Sequence, residues 1–338
     1  MWSGYSIVPA SLVTILPAGW LWYRNGSLSV ETFILVIILS LGIAGPLIAA
    51  MNFVDTLATV GTTVASVDEL LSAEEQHHGD KEVRIKGKDI ELSHASFGYH
   101  EDKNILRDVS LSIPAGRMTA LVGPSGSGKS TIAKLIAGFW DVKDGTVSMG
   151  GVDEKKIPLE QLYDQVAFVS QDNYLFDESV RDNIRMGRLS ASDKEVEAAA
   201  KAAGCDAFIR SLEKGYETNV GGGGASLSGG EKQRISIARA MLKDAPIVIL
   251  DEETAFADPD NEAKVQAAFS VLAKGKTVLM IAHRLSTVTG ADRIVVVKDG
   301  KIEDTGTHGQ LKDKDGLYAE MWRQYNKAAK WKVGVSNA

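Results

Sequence analysis

The sequence holds a single cysteine, Cys205, so no internal disulfide can form, which fits a reducing compartment. A lone thiol of this kind is expected to be a small buried hydrophobe rather than a redox centre. A basic excess is also missing: 37 Lys and Arg against 44 Asp and Glu leave a net charge of −7. That balance lacks the positive field on which nucleic-acid binding rests, so no nucleic-acid partner is expected. The most localised absence is of charge: residues 1–54 carry only Arg24 and Glu31. Residues 1–5 contain no basic residue, which argues against a secretory signal peptide.

What fills the uncharged region is apolar. Residues 6–23 form one uncharged run and residues 32–54 a second, and a bilayer span needs roughly 20 apolar residues. Two membrane helices are therefore expected, the first kinked by Pro9 and Pro17 and ending in the interfacial aromatics Trp20, Trp22 and Tyr23. The apolar positions Phe53, Leu57, Val60, Val64, Val67 and Leu71 then recur at spacings of four and three, so the second helix should continue to about residue 75. Residues 76–87 (QHHGDKEVRIKG) read as a polar linker in which His77 and His78, with no further ligands nearby, are expected to be solvated rather than metal-bound.

The charged remainder carries chemistry. The apolar strand MTALV (118–122) runs into Gly123, Pro124, Ser125, Gly126, Ser127, Gly128, Lys129, Ser130 and Thr131, a complete G-x-x-x-x-G-K-[ST] loop, and a helical pattern follows. Such a loop lets backbone N–H groups and a helix N-terminus surround phosphates. Lys129 should reach the β- and γ-phosphates of ATP, and the Ser130 hydroxyl should bind Mg2+. Downstream, the apolar strand IVIL (247–250) ends in Asp251 and Glu252. The first carboxylate is placed to hold Mg2+ and the second to orient or deprotonate the attacking water.

Between these two motifs lies LSGGEKQR (227–234), a second glycine-rich helix start and so a second anion site at Ser228, Gly229 and Gly230. This string resembles the LSGGQ signature of ATP-binding cassette (ABC) proteins, with Glu231 where glutamine is usual. The resemblance extends over most of the chain and implies several roles. Tyr99 matches the aromatic that stacks on adenine. Gln171 matches the residue that senses Mg2+ and the attacking water. His283 matches the histidine that contacts the γ-phosphate, and Asp258 the D-loop aspartate. It also implies that the signature helix serves the nucleotide of a partner subunit, in a homo- or heterodimer. The sequence departs from the family pattern at Glu253, at Phe256 and Ala257, and at Gly222, while the hydrolytic set Lys129, Asp251, Glu252 and His283 is whole.

The expected fold is thus an α/β P-loop ABC ATPase domain, with a parallel α/β core, an antiparallel β subdomain and a helical subdomain, preceded by two transmembrane helices. The expected divisions are a partial transmembrane domain at 1–75, the linker at 76–87, the cassette at 88–327 and a frayed tail at 328–338. Within the cassette a helical insertion is expected over 158–227, with one amphipathic helix in 192–212, and a closing helix over 316–327. The membrane part resembles the last two of the six helices of exporter-type half-transporters, so the chain reads as a half-transporter missing its first four. The function implied is an ATP-hydrolysing subunit that moves a siderophore, lipid, peptide or drug across the cell membrane, with its ATPase domain in the cytoplasm. The alternatives are a soluble non-transport ABC ATPase and a regulatory ATP-binding cassette.

Overall fold

The computed structural model describes residues 7–72, 75–100, 103–221, 227–252, 259–282 and 284–335, and their side chains except at 7–12, 44, 47, 48, 51, 252, 259, 260 and 328–335. The chain divides into two units, Met1–Glu75 and Gln76–Ala338.

The first unit is two packed helices, α1 (Ile7–Arg24) and α2 (Val30–Leu71). The α2 helix starts where the Ser29 hydroxyl accepts the Thr32 N–H at 3.2 Å and Glu31 meets the positive end of the helix dipole. Its threonines satisfy themselves: the hydroxyls of Thr56, Thr59, Thr62 and Thr63 donate to carbonyls three or four residues back. Both expected helices form where the uncharged runs lie, and Pro17 and Pro46 sit inside them. Among the described residues, however, no helix is long and apolar enough to cross a membrane. The stripe from Phe53 to Leu71 is exposed along its length.

The second unit contains two sheets. One is antiparallel, in the order β2 (Leu106–Ile113), β1 (Ile90–Phe97), β4 (Asp144–Met149), β5 (Val152–Asp153). The other has six strands in the order β10 (Lys301–Gly306), β9 (Arg293–Lys298), β3 (Met118–Val122), β8 (Thr277–Ala282), β7 (Ile247–Glu252), β6 (Val166–Val169). It is parallel apart from the β9–β10 hairpin. Every residue of β8 is buried, as expected of a parallel strand covered on both faces.

Alternate residues of the central strands enter opposite cores, as the two-residue strand period requires. Leu121, Ile249 and Ile281 join the antiparallel sheet and α3 (Lys129–Ile136), while Val122, Leu250 and Met280 join the helices on the other face. Those helices include α5 (Val180–Arg185), α6 (Asp193–Ala202), α7 (Asp206–Ser211) and α8 (Gly229–Lys243).

Three expectations are corrected. The stretch 158–227 is not wholly helical: α4 (Leu159–Gln165) leads directly into β6, which pairs with β7 in the core sheet, so the helices proper begin at Val180. The expected single helix in 192–212 is two, α6 and α7, separated at Gly204 with φ +67. The closing helix runs from Leu317 to Val335, into the stretch 328–338 expected to fray.

Candidate nucleotide site

The site is built on the carboxyl edge of the parallel sheet, where β3, β6, β7 and β8 all end on the same side. At the end of β3 the chain turns at Gly123 with φ +149. A Cβ there would lie 2.0 Å from the carbonyl oxygen of Val297, so only glycine fits. The loop ends at Gly128, which caps α3 without any side-chain hydrogen bond. The first N–H groups of α3 therefore meet no capping side chain and face the loop with the positive end of the helix dipole.

Lys129 is 6% exposed, and its Nζ donates to the carbonyl oxygens of Gly123 at 2.9 Å and Pro124 at 2.8 Å. Burial holds its ammonium below the usual lysine range, and the Asp251 carboxylate opposes that shift. Asp251 lies near the end of β7, buried, with β7 flanked by β6 and β8. Ser130 is half-buried at the start of α3, and Ser125 and Gly126 are exposed.

Tyr99 stands beside α3. Its hydroxyl is 3.4 Å from Thr131 Oγ1, and its ring meets Phe97 at 5.0 Å and Trp140 at 5.4 Å, both edge-on. The Lys134 ammonium lies 6.0 Å from the Tyr99 ring centre. Trp140 was not singled out from sequence. An aromatic one turn past the apolar face of the P-loop helix is the only local signal it gives.

The remaining expected residues fall elsewhere. Gln171 is exposed in a turn after β6, on the same sheet edge, and its carbonyl accepts from Asn173 at 2.9 Å. Ser228, Gly229 and Gly230 open α8, with Ser228 as its N-cap, and α8 packs against α5, α6 and α9 (Pro259–Ala273). Glu252 ends β7 in register with Ala282 of β8, its side chain outside the described set. His283, Asp258, Gly222, Glu253, Phe256 and Ala257 lie outside the described residues.

Chemically, the glycine turn, the helix start, the buried lysine and the nearby carboxylate suit a polyphosphate with a divalent cation. Among the described residues no three His, Cys, Asp or Glu side chains cluster as a self-sufficient metal centre. Mg2+ would thus be held by Ser130 and Asp251, with Gln171 at the same sheet edge, together with nucleotide phosphates, its usual mode. Cys205 is buried as expected, its thiol 3.2 Å from the Ala200 carbonyl. His77 is exposed, but His78 is not solvated: its side chain is 4% exposed and hydrogen-bonded at both nitrogens.

Sheet order, phosphate loop and carboxylate strand together define a P-loop nucleotide-binding domain. Residues 106–255 match the ABC transporter family. The cassette therefore belongs to the ABC transporter family, whose domain binds ATP. Over 322 residues, 93% of this chain and 45% of the relative, it is 39% identical to the mitochondrial iron-sulfur clusters transporter ATM1 of Yarrowia lipolytica. It is 43% identical to the ATP-dependent lipid A-core flippase of Photobacterium profundum over 88% of this chain and 52% of the flippase. The solved structure of a bacterial Atm1-family ABC exporter with ATP bound superposes with a TM-score of 0.72 at 34% identity, covering 95% of this chain and 55% of that one. The chain spans about half the length of the curated relatives it matches.

Proposed function

We propose that the chain is the ATP-hydrolysing part of an ABC exporter, closing as a dimer on two ATP molecules and reopening after hydrolysis. The observation that carries this reading is the phosphate loop: a glycine turn no other residue could make, a buried Lys129, and the Asp251 carboxylate acting on it. The backbone N–H groups at the start of α3 and the Lys129 ammonium would bind and orient the phosphates. Ser130 and Asp251 would hold Mg2+, which supplies charge neutralisation of the developing transition state. Glu252 would take the proton of the attacking water, Gln171 would sense that water, and His283 would contact the γ-phosphate. Ser228, Gly229 and Gly230 would contact the γ-phosphate on the partner subunit.

The helices α1 and α2 would lie in the cell membrane, with the cassette in the cytoplasm. Their uncharged runs and the exposed Val13, Ile34, Ile38 and Ile43 support this, because such apolar surface calls for a lipid or protein cover. Cargo is taken from the range of relatives that carry iron–sulfur clusters or lipid, or from the siderophores, peptides and drugs of the wider family.

The test is Glu252→Gln in the full chain reconstituted in lipid. ATP binding should persist, a nucleotide-dependent dimer should accumulate, and turnover should fall by about 100-fold or more. Turnover at the wild-type rate would remove Glu252 from the role of base.

A further inference from the structure

Segment 76–87 forms no helix or strand, yet it is fastened to the cassette at four points. Gln161 grips Val83 with both ends of its amide, accepting the Val83 N–H at 3.0 Å and donating to the Val83 carbonyl at 2.7 Å. Gly79 passes so close to the cassette that a Cβ would lie 2.2 Å from the Lys156 carbonyl oxygen. His78 places Nδ1 3.0 Å from the Ile157 carbonyl oxygen and Nε2 3.1 Å from Asp141 Oδ1. Gln76, with its amide oxygen turned toward donors, accepts the N–H groups of Asp141 at 3.2 Å and Trp140 at 3.3 Å.

The His78 contacts specify chemistry. Nδ1 thus faces a carbonyl oxygen and Nε2 a carboxylate oxygen, so both ring nitrogens are engaged by the cassette. Asp141 is the carboxylate available for that pairing. Its neighbour Glu154 is buried, and burial together with Asp141 and Asp153 pushes the Glu154 carboxyl well above its ordinary range. The side chains of His78 and Asp141 are 4% and 25% exposed, so this pair is shielded far better than a surface ion pair.

Trp140 follows from the same backbone. Its side chain is 47% exposed, so burial alone does not fix its ring. The peptide N–H groups of residues 140 and 141 and the Asp141 side chain tie this corner to the segment, the first two through Gln76 and the third through His78. The Trp140 ring in turn abuts Tyr99 at 82° and Phe97 at 54°.

We propose that His78 is a positioning residue for the nucleotide base: through Asp141 it fixes the corner that carries Trp140, and Trp140 fixes the ring of Tyr99. The proposal rests on the reading of Tyr99 as the adenine platform, and it gives the segment between α2 and the cassette a part in base binding. Such a clamp acts on the base and not on the phosphates, whose cradle is built from Gly123, Gly128 and Lys129.

The experiment measures affinities of the full chain, in detergent or lipid, for ATP and for inorganic tripolyphosphate, which has the phosphates without the base. His78→Ala should weaken ATP about fivefold and leave tripolyphosphate unchanged. Asp141→Ala should do the same. Asp141→Asn should stay near wild type, because its amide can donate to Nε2 of a neutral ring whose Nδ1 still donates to Ile157. Tyr99→Ala serves as the reference. If Tyr99→Ala weakens ATP alone and His78→Ala weakens neither ligand, or both equally, the clamp is overturned while the platform stands. If Tyr99→Ala leaves ATP binding unchanged, the platform itself is wrong and the clamp falls with it.

Discussion

The Glu231 carboxylate accepts two hydrogen bonds from Ser228, one from its N–H at 2.8 Å and one from its hydroxyl at 2.9 Å. The Glu231 N–H returns a third to Ser228 Oγ at 3.4 Å, closing a capping box at the start of α8. The departure from the usual glutamine of the signature is thus used locally. A glutamate also suits the positive end of the helix. Glu231→Ala should destabilise the cassette by about 1 kcal/mol, read from urea denaturation. Glu231→Gln keeps an oxygen acceptor at the same place and should lose less than about 0.5 kcal/mol.

Gly123→Ala tests the phosphate cradle without touching a charged group. Its Cβ would meet the Val297 carbonyl, a backbone atom of β9 that cannot swing aside, and φ +149 disfavours any side chain. The backbone conformation alone should cost about 1–3 kcal/mol. ATP affinity should fall along with thermal stability, whereas Lys129→Ala should lower affinity and leave the melting temperature nearly unchanged or slightly raised, since a buried ammonium is removed.

Cys205 provides a probe of the core. Burial pushes its thiol up to about 12, with the nearby Arg234 guanidinium only partly opposing it. The folded protein therefore holds the thiol neutral at pH 8–9, where an unfolded cysteine ionises. A raised acid of this kind contributes stability below the unfolded value and loses it as pH climbs through that value toward the folded one. Thiol reagents at pH 8 should modify Cys205 only as fast as the cassette opens, and ATP should slow the reaction. Labelling within seconds of mixing would contradict its buried placement.

These features differ in how far the sequence could carry them. The phosphate loop was legible because strand, turn and helix lie within one short stretch, and the Gly123 and Gly128 conformations are local demands. The β6 strand was not, since VAFV has no alternation and its place is fixed by β7, distant in sequence. The break at Gly204 was hidden because the apolar pattern of 192–212 runs through it. His78 gave no signal at all: its partners Asp141 and Ile157 lie 63 and 79 residues away, and only the folded chain unites them. Trp140 was missed for the same reason, as its meaning lies in the Tyr99 ring it touches.

Membrane association is predicted from α1 and α2. The full chain should sediment with membranes, resist extraction by alkaline carbonate and be released by detergent. Recovery in the soluble fraction without detergent would favour a cassette that does not act at a membrane, and would remove the exporter reading.

The central claim is that the phosphate loop of one copy works with the signature helix of another. Mixing two inactive variants tests it most directly: Lys129→Ala, which disables the cradle, and Gly229→Asp, which places a carboxylate at the signature helix start. Each alone should hydrolyse almost no ATP. Mixed in equal amounts before reconstitution, they should regain about a quarter of the wild-type rate, because half of the dimers are mixed and each mixed dimer has one intact composite site. A mixture as inactive as its two components would contradict the account.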